Sequence, residues 1–516
     1  MAEGIYRSRA ISSTSSFVFD TKVWYHLCNN CVVLWQGSCC TSTLVTTDLE
    51  SDDFASLVRY ILYTNDLDTQ GLVYSSSRYH WQGDGKGTRF FLPGREYNSS
   101  QTSWRPTGTT TIQEHLLKAY AEVYPNLLHH DPTYPTPEEL LSITKIGNVD
   151  FEGEMAKDTD GSNLIKNLLF DNDPRTLYLQ AWGGTNTIAR ALKSIEDEYN
   201  SSSQWPDMKS AISRKAVIMA SGFQDETYAD YIAPTWPSIR VEEYSAGYFT
   251  WGFNCNLGQG NNRGLPDNNV YYKGAWIKTN IEIGPLGSLY RSWLDGQTTF
   301  GGGDPYDVFG DPNKTSFWCA PMQPYDFLSE GDNVAYNPLL TTGIQDPSNP
   351  ALGGWGGRGK QNSTSPNLWV LVDTERAANG SEIDSSTDRW VAAAQNDFAA
   401  RMQWTLTEDY HAGNHAPAVR VMGDKMVVAQ AGSSVRLTAQ VSDPDRNQVS
   451  VSWWQYLEEG TYPGIVQISA ERNNRATVEV PQDAKGGETL SIIVEATDDG
   501  HFPLTRYDRV FIQVAE

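Results

Sequence analysis

Hydrophobic and polar positions change rhythm twice along this 516-residue chain. A strand-then-helix rhythm begins near residue 43. "STLVTTD" is a short β-branched run and predicts a strand. It gives way to "DDFASLVRYILYTNDL", where Phe54, Leu57, Val58, Ile61 and Leu62 fall at helical spacing and mark one apolar face. "TQGLVYSS" returns to strand character. Further on, "TLYLQAW" predicts a strand that runs into "GGTNTIARALKSI". There Ile188, Leu192 and Ile195 share a face, and Thr185 or Asn186 stands at the cap position. "KAVIMASGF" has the composition of a fully buried strand. Strands alternating with helices predict an α/β domain built on a mostly parallel sheet.

Between residues 245 and 370 the pattern dissolves into Gly, Asn, Pro and aromatics, as in "GQGNNRGLPDNN" and "GGWGGRGK". Tryptophans and tyrosines run through these stretches, so they read as long structured loops, the usual carriers of binding sites. A last helix, "VAAAQNDFAARMQWTL", precedes the linker "HAGNHAPAV". After residue 418 the pattern is one of short alternating strands with regular turn signals, predicting a small all-β sandwich with an immunoglobulin-like rhythm. The expected division is a segment of unclear status at 1–40, an α/β domain at 41–410 and the sandwich at 418–516. "SDPD" and "TDDG" in the sandwich are calcium-like clusters that ordinary Asp-rich surface turns explain equally well.

Charge narrows the partners. Lys+Arg 39 against Asp+Glu 63 gives −24, which opposes nucleic acid and anionic membranes. No apolar run approaches the roughly 20 residues that span a bilayer. Trp 17 and Tyr 26 offer flat faces that suit sugar rings, although aromatics also fill cores. Cys28, Cys31, Cys39 and Cys40 are clustered, with Cys255 and Cys319 far away; "CNNC" has zinc-knuckle spacing, but no nearby histidine completes a set. Sequons at Asn98, Asn200, Asn313, Asn362 and Asn379 fit an extracellular protein, while the first 40 residues lack a clean signal-peptide pattern.

The densest chemistry lies at the end of the first strand. Asp48, Glu50, Asp52 and Asp53 occupy six positions. Ligands bind outside the carboxyl ends of strands in such sheets. Converging carboxylates need an offset, and an all-oxygen set suits Ca²⁺ or Mg²⁺. The plainer account is that Asp52 and Asp53 complement the helix dipole, worth ~0.3–1 kcal/mol each.

"TTDLESDD" resembles the nucleoside hydrolase signature Asp-x-Asp-Pro-Gly-x-Asp-Asp, with Asp48, Asp52 and Asp53 on its last three acidic positions. "LYLQAWGGTNTIARAL" is similar to that superfamily's central strand and Gly-x-Thr-Asn helix start. The passages "DDFASLVRYILYTND", "GPLGSLY", "LSEGD", "GGWGGR", "QNDFAARMQW", "WWQYLEEGTYPG" and "ATDDGHFPLTRYDRV" extend the likeness from about residue 41 to 516. With them the chain resembles the nucleoside-hydrolase-like family of cellulose-binding proteins. The resemblance implies an open sheet of nucleoside hydrolase type followed by an immunoglobulin-like domain. It also implies a Ca²⁺ site in which Asp48 is a ligand and the general base. Asp53, Asp332 and the Ala181 carbonyl would be further ligands. Asp52 would hold sugar hydroxyls, with Gln224, Asp225 and Glu330 near the substrate; beyond the resemblance, His80 and Trp81 in "RYHWQ" are further substrate-binding candidates. Related hydrolases assemble as dimers or tetramers, so a homo-oligomer is implied too.

The match has gaps. Thr46 replaces the first Asp of the signature and Leu49–Glu50 replace Pro–Gly. "YSSSRYHW" stands where nucleosidases place an asparagine, and no nucleobase-binding loop can be matched. Two readings remain open. One is inverting hydrolysis of an N-glycosidic or related glycosidic bond, with His80, His129 or His130 as general acid. The other is a non-catalytic polysaccharide binder that presents Tyr79, Trp81, Trp251 and Trp355.

Overall fold

The computed structural model describes residues 41–244, 266–297, 309–311, 322–372, 374–376, 382–383, 386–471 and 474–516. All six cysteines and Trp251 lie outside these residues. Residues Thr41–Glu516 form one compact unit.

Its centre is an eight-stranded sheet of β1 (Thr41–Thr47), β2 (Leu67–Tyr74), β3 (Thr144–Ile146), β4 (Leu177–Ala181), β5 (Ala216–Ala220), β6 (Arg240–Glu243), β7 (Gly359–Gln361) and β8 (Leu368–Leu371). The order is β3-β2-β1-β4-β5-β6-β8-β7, parallel throughout except for the antiparallel edge strand β7. The chain moves outward from β1 to β2 and β3, then returns to place β4 on the other side of β1. The gap between the ends of β1 and β4 is therefore the topological switch point, where ligands bind in sheets of this kind.

Helices α1 (Ser51–Tyr60), α2 (Lys118–His130), α3 (Pro137–Ser142), α4 (Asp160–Phe170), α5 (Asn186–Tyr199) and α6 (Trp205–Lys215) belong to this layer system. Alternation along β1 feeds both faces of the sheet. Val45 joins the core that holds α1, and Leu44 joins the core that holds α5. Burial of α1 extends beyond its apolar stripe to Asp52, Asp53 and Arg59. The α5 N-terminus departs from the expected capping. Neither Thr185 nor Asn186 caps it through its side chain; instead Asp225 Oδ2 accepts the Asn186 amide at 3.1 Å.

A ribbon of β9 (Glu375–Arg376) and β10 (Glu382–Ile383) precedes a long helix at Val391–Trp404. The sandwich follows, with β11 (Ala418–Val421), β12 (Met426–Ala429), β13 (Ser434–Ser442), β14 (Ser450–Gln455), β15 (Gln467–Glu471), β16 (Arg475–Glu479), β17 (Thr489–Thr497) and β18 (Thr505–Val514). Its sheets are ordered β11-β13-β16-β15 and β12-β18-β17-β14, antiparallel apart from the β12–β18 pair. Val435, Leu437, Val478, Ile492 and Ile512 form its core. A second set of sandwich residues, Tyr456, Ile493, Phe502, Leu504 and Tyr507, belongs to the apolar core of the α/β layers instead. Trp390 anchors that junction, its ring 5.3 Å from Tyr507.

Candidate functional site

Four carboxylates gather at the β1 end. After Thr47 the chain turns sharply, with Leu49 at φ 63°, a left-handed conformation a branched residue rarely adopts. The Leu49 amide donates to Thr47 Oγ1 at 2.9 Å, and Thr107 Oγ1 donates to the Asp48 carbonyl at 2.7 Å. This turn leaves the Asp48 carboxyl at the switch point, against Gly183 just after β4, where a Cβ would lie 2.9 Å from it. One helical step later Asp53 accepts a short hydrogen bond from Thr47 Oγ1.

The fourth carboxylate arrives from far along the chain. Ser221, at the end of β5, donates its hydroxyl to the Gly331 carbonyl at 2.7 Å, and the Asp332 amide donates to Ser56 Oγ of α1 at 3.3 Å. These bonds seat the 330–332 turn on the cluster. Glycine at 331 leaves the Asp52 carboxylate in place, because a Cβ there would overlap it. As a result, carboxylate oxygens of Asp52, Asp53 and Asp332 all lie within 4.8 Å of one another.

All four groups are buried: Asp48 is 2 % exposed and Asp53 1 %. Burial pushes the Asp48 carboxyl up to about 6, with Glu50 adding to the rise and His80 opposing it. Burial also holds Asp52, Asp53 and Asp332 well above the usual carboxylate range, each raised further by its neighbours' charges. Both Asp48 oxygens and Asp332 Oδ2 are buried without a hydrogen bond of good geometry. Like charges packed this way are stable only if protonated or neutralised by a cation. The donors are all oxygen, the set that suits Ca²⁺ or Mg²⁺, so the residues fit such an ion.

His80 and Glu50 border the cluster. His80 Nδ1 donates to the Arg105 carbonyl at 2.7 Å, leaving Nε2 3.1 Å from Glu50. Burial alone would lower the His80 pKa, but the Glu50 charge outweighs it and raises the group; His80 in turn holds Glu50 below its ordinary value.

Other expected residues sit differently. Asp52, expected at the sugar, belongs with Asp53 and Asp332, whereas Asp48 is outside that trio. The Ala181 carbonyl accepts the Ser221 amide at 2.9 Å, continuing the β4–β5 ladder. Glu330 is enclosed by Arg59, whose Nη2 donates at 2.9 Å, together with Tyr290 and Asn333; it neutralises a buried guanidinium rather than facing a ligand. Asp225 likewise serves the fold, accepting from Thr185, Asn186 and Thr227. Gln224 Nε2 donates to the Trp182 carbonyl at 2.8 Å, while its Oε1 is buried without a partner.

Trp81 is no surface platform. It is 0 % exposed, packed among Phe90, Tyr97 and Phe151. Trp355 is buried as well, while Tyr79 is half-buried. His130 stacks on Trp404 and its Nε2 donates to the Thr407 carbonyl at 2.9 Å, and His129 lies on the surface near Glu408. Thr47, Ser56, Thr107 and Ser221, which position the cluster, carry no sequence signal beyond being small hydroxyl residues at element ends.

An open parallel sheet with carboxylates at its switch point, followed by a β-sandwich, defines the nucleoside hydrolase-like class with an appended C-terminal domain. The family model for the cellulose-binding Sde182 nucleoside hydrolase-like domain matches residues 42–358, and that for the cellulose-binding protein Sde0182 C-terminal domain matches residues 434–514. The chain belongs to this family of nucleoside hydrolase-like, cellulose-binding proteins. A solved structure of a nucleoside hydrolase-related hypothetical protein from Saccharophagus degradans, associated with carbohydrate metabolism, is 26 % identical at a TM-score of 0.67 and covers 92 % of this chain and 100 % of its own. A plant nucleoside hydrolase is 11 % identical at a TM-score of 0.29, covering 72 % of this chain and 99 % of its own. No curated protein sequence matches the chain. No helix of the described residues is long and apolar enough to cross a membrane.

Proposed function

We propose that the chain hydrolyses a glycosidic bond in a sugar-containing substrate, with the cluster at the β1 end holding Ca²⁺. The observation that supports this reading is the placement of Asp48: a deeply buried carboxylate at the switch point, pushed up to about 6 by burial, beside a three-carboxylate oxygen set. Asp52, Asp53 and Asp332 would hold the ion. When bound, calcium would offset their charge, orient sugar hydroxyls and acidify water at the site. Asp48 accepts the proton of the attacking water, and the transition state has oxocarbenium character. The enclosing turns of Leu49 and Gly331 keep the carboxylates in place before substrate arrives.

The family's cellulose-binding name supports a polysaccharide or an oligosaccharide derived from one as substrate class, and the absent nucleobase features argue against an ordinary nucleoside. A purely polysaccharide-binding role is the second reading. The same name favours it, although the burial of Trp81 and Trp355 removes two of its platforms.

Calorimetric Ca²⁺ titration of the chelator-stripped chain, with Asp53→Ala alongside, tests the site. One equivalent of calcium lost in the variant, together with turnover in a screen of cello-oligosaccharides and nucleosides, supports hydrolysis. Wild-type binding by Asp53→Ala removes the calcium reading, and calcium binding without turnover favours the binder.

A further inference from the structure

Two Asp-containing turns meet at one end of the sandwich, Asp443–Pro444–Asp445 and Asp498–Asp499–Gly500. Asn414, on the connection into the sandwich, joins them. Its Nδ2 donates to Asp498 Oδ1 and to the Phe502 carbonyl, both at 2.9 Å, and its Oδ1 accepts from Asn447 Nδ2 at 2.7 Å. The Asn447 amide in turn donates to Asp443 Oδ1 at 2.8 Å, and the Asp445 amide donates to the same atom at 3.0 Å. Asp498 Oδ1 also accepts the Gly500 and Leu504 amides at 2.9 and 3.1 Å. Asp445 is held by His415 and Asp499 by the Gln448 amide.

Every acceptor in this network is therefore committed on one side. What remains is Oδ2 of Asp443 and Oδ2 of Asp498, both buried and both without a hydrogen-bond partner. Asp498 as a whole is 3 % exposed. Neither carboxylate forms an ion pair with Lys or Arg among the described residues. The two charges sense each other: burial raises the Asp498 carboxyl, and the Asp443 charge adds to the rise. A buried carboxylate oxygen left bare is costly, and this network, linked through Asn414 and Asn447, carries two of them.

We propose that this junction is a second cation site, in which Asp443 Oδ2 and Asp498 Oδ2 bind Ca²⁺ and tie both turns to the segment entering the sandwich. Asn414 Oδ1 has a second lone pair in the same network, and Ca²⁺ accepts amide and water oxygens readily. Two carboxylates make a weaker site than the three at the sheet, in the range of about 10⁻⁴–10⁻³ M typical of extracellular modules. The proposal is independent of the catalytic reading, since none of its residues touches the sheet-end cluster.

The test is calorimetric Ca²⁺ titration of the full chelator-stripped chain, with thermal unfolding at each calcium concentration, for wild type, Asp443→Asn, Asp498→Asn and Asp53→Ala. The expected result is two equivalents in wild type. Asp443→Asn and Asp498→Asn lose only the weaker one, and Asp53→Ala loses only the other. The calcium-dependent rise in the thermal midpoint persists in Asp53→Ala and shrinks in Asp443→Asn. A wild type that binds no calcium, or a single equivalent lost in Asp53→Ala, overturns the proposal even if a junction variant fails to fold. So do junction variants that keep both equivalents. A single equivalent lost in Asp443→Asn but kept in Asp53→Ala upholds this site and removes the sheet-end one.

Discussion

Arg506 Nη1, on the last strand of the sandwich, donates to Asp397 Oδ2 of the helix Val391–Trp404 at 2.9 Å. Arg401 Nε holds the other oxygen at 2.8 Å. Burial alone would raise the Asp397 carboxyl, but the two guanidiniums outweigh it and bring it from 3.8 down to about 2. The folded value lies below the unfolded one. Ionised Asp397 thus contributes stability that is complete above the unfolded pKa and disappears as pH falls through the folded pKa. The shift corresponds to about 2 kcal/mol. Urea unfolding of wild type and Asp397→Asn over a pH series isolates it. The wild type should lose about 2 kcal/mol relative to the variant between about pH 4 and pH 2; parallel curves would contradict the assignment.

Replacing Asp48 with Asn separates proton transfer from cation binding. Asp48 stands outside the Asp52–Asp53–Asp332 trio, so calcium stoichiometry should hold while kcat falls by about 10²–10⁴-fold. Turnover and titration on the same preparation decide it. Calcium lost together with activity would make Asp48 a ligand.

A Cβ added at Gly331 would run into the Asp52 carboxylate. Gly331→Ala should displace that oxygen and weaken calcium at the sheet end by about 10–100-fold, the usual effect of disturbing a metal site's support. Circular dichroism should show the fold retained, since the change is confined to one turn. An unaltered affinity would mean Asp52 takes no part in holding the ion.

Arg446 lies exposed at φ 67° in the turn after Asp445. A side chain in that region costs about 1–2 kcal/mol. Glycine relieves it but adds back about 0.5–1 kcal/mol of unfolded-chain freedom. Arg446→Gly should therefore stabilise the chain by roughly 0.5–1 kcal/mol, read as a higher denaturant midpoint. A lower midpoint would show that Arg446 makes compensating contacts.

Much of the scaffold was legible because its signals are local. The spacing of Phe54, Leu57, Val58, Ile61 and Leu62 predicts α1, and Asp48, Asp52 and Asp53 follow from one turn of chain. Asp332 was reached through its short motif, and the structure brings it to Asp52 and Asp53. Its neighbour Glu330, expected near the substrate, instead pairs with Arg59. That partner lies 271 residues earlier, and only the tertiary fold shows that α1 buries a guanidinium needing a counter-charge. Trp81 misled for a similar reason. A loop tryptophan looks like a platform until Phe90, Tyr97 and Phe151 close around it. Strands β7 and β8 fall in the stretch whose pattern predicts loop, because three or four residues among Gly, Asn and Pro carry too little periodicity to register.

The shared core at Trp390 sets how this protein can be used and altered. Tyr456, Ile493, Phe502, Leu504 and Tyr507 finish the interior of the α/β layers, so the sandwich is not a tethered passenger that can be trimmed or swapped. Severing the chain between the helix and β11 would leave each fragment with a bare aromatic face. It also removes one familiar way of handling an insoluble polymer, a binding module that roams on a flexible leash. On the proposed function, a sugar chain reaching the sheet end would meet one joined body whose sandwich does not swing free of the α/β layers.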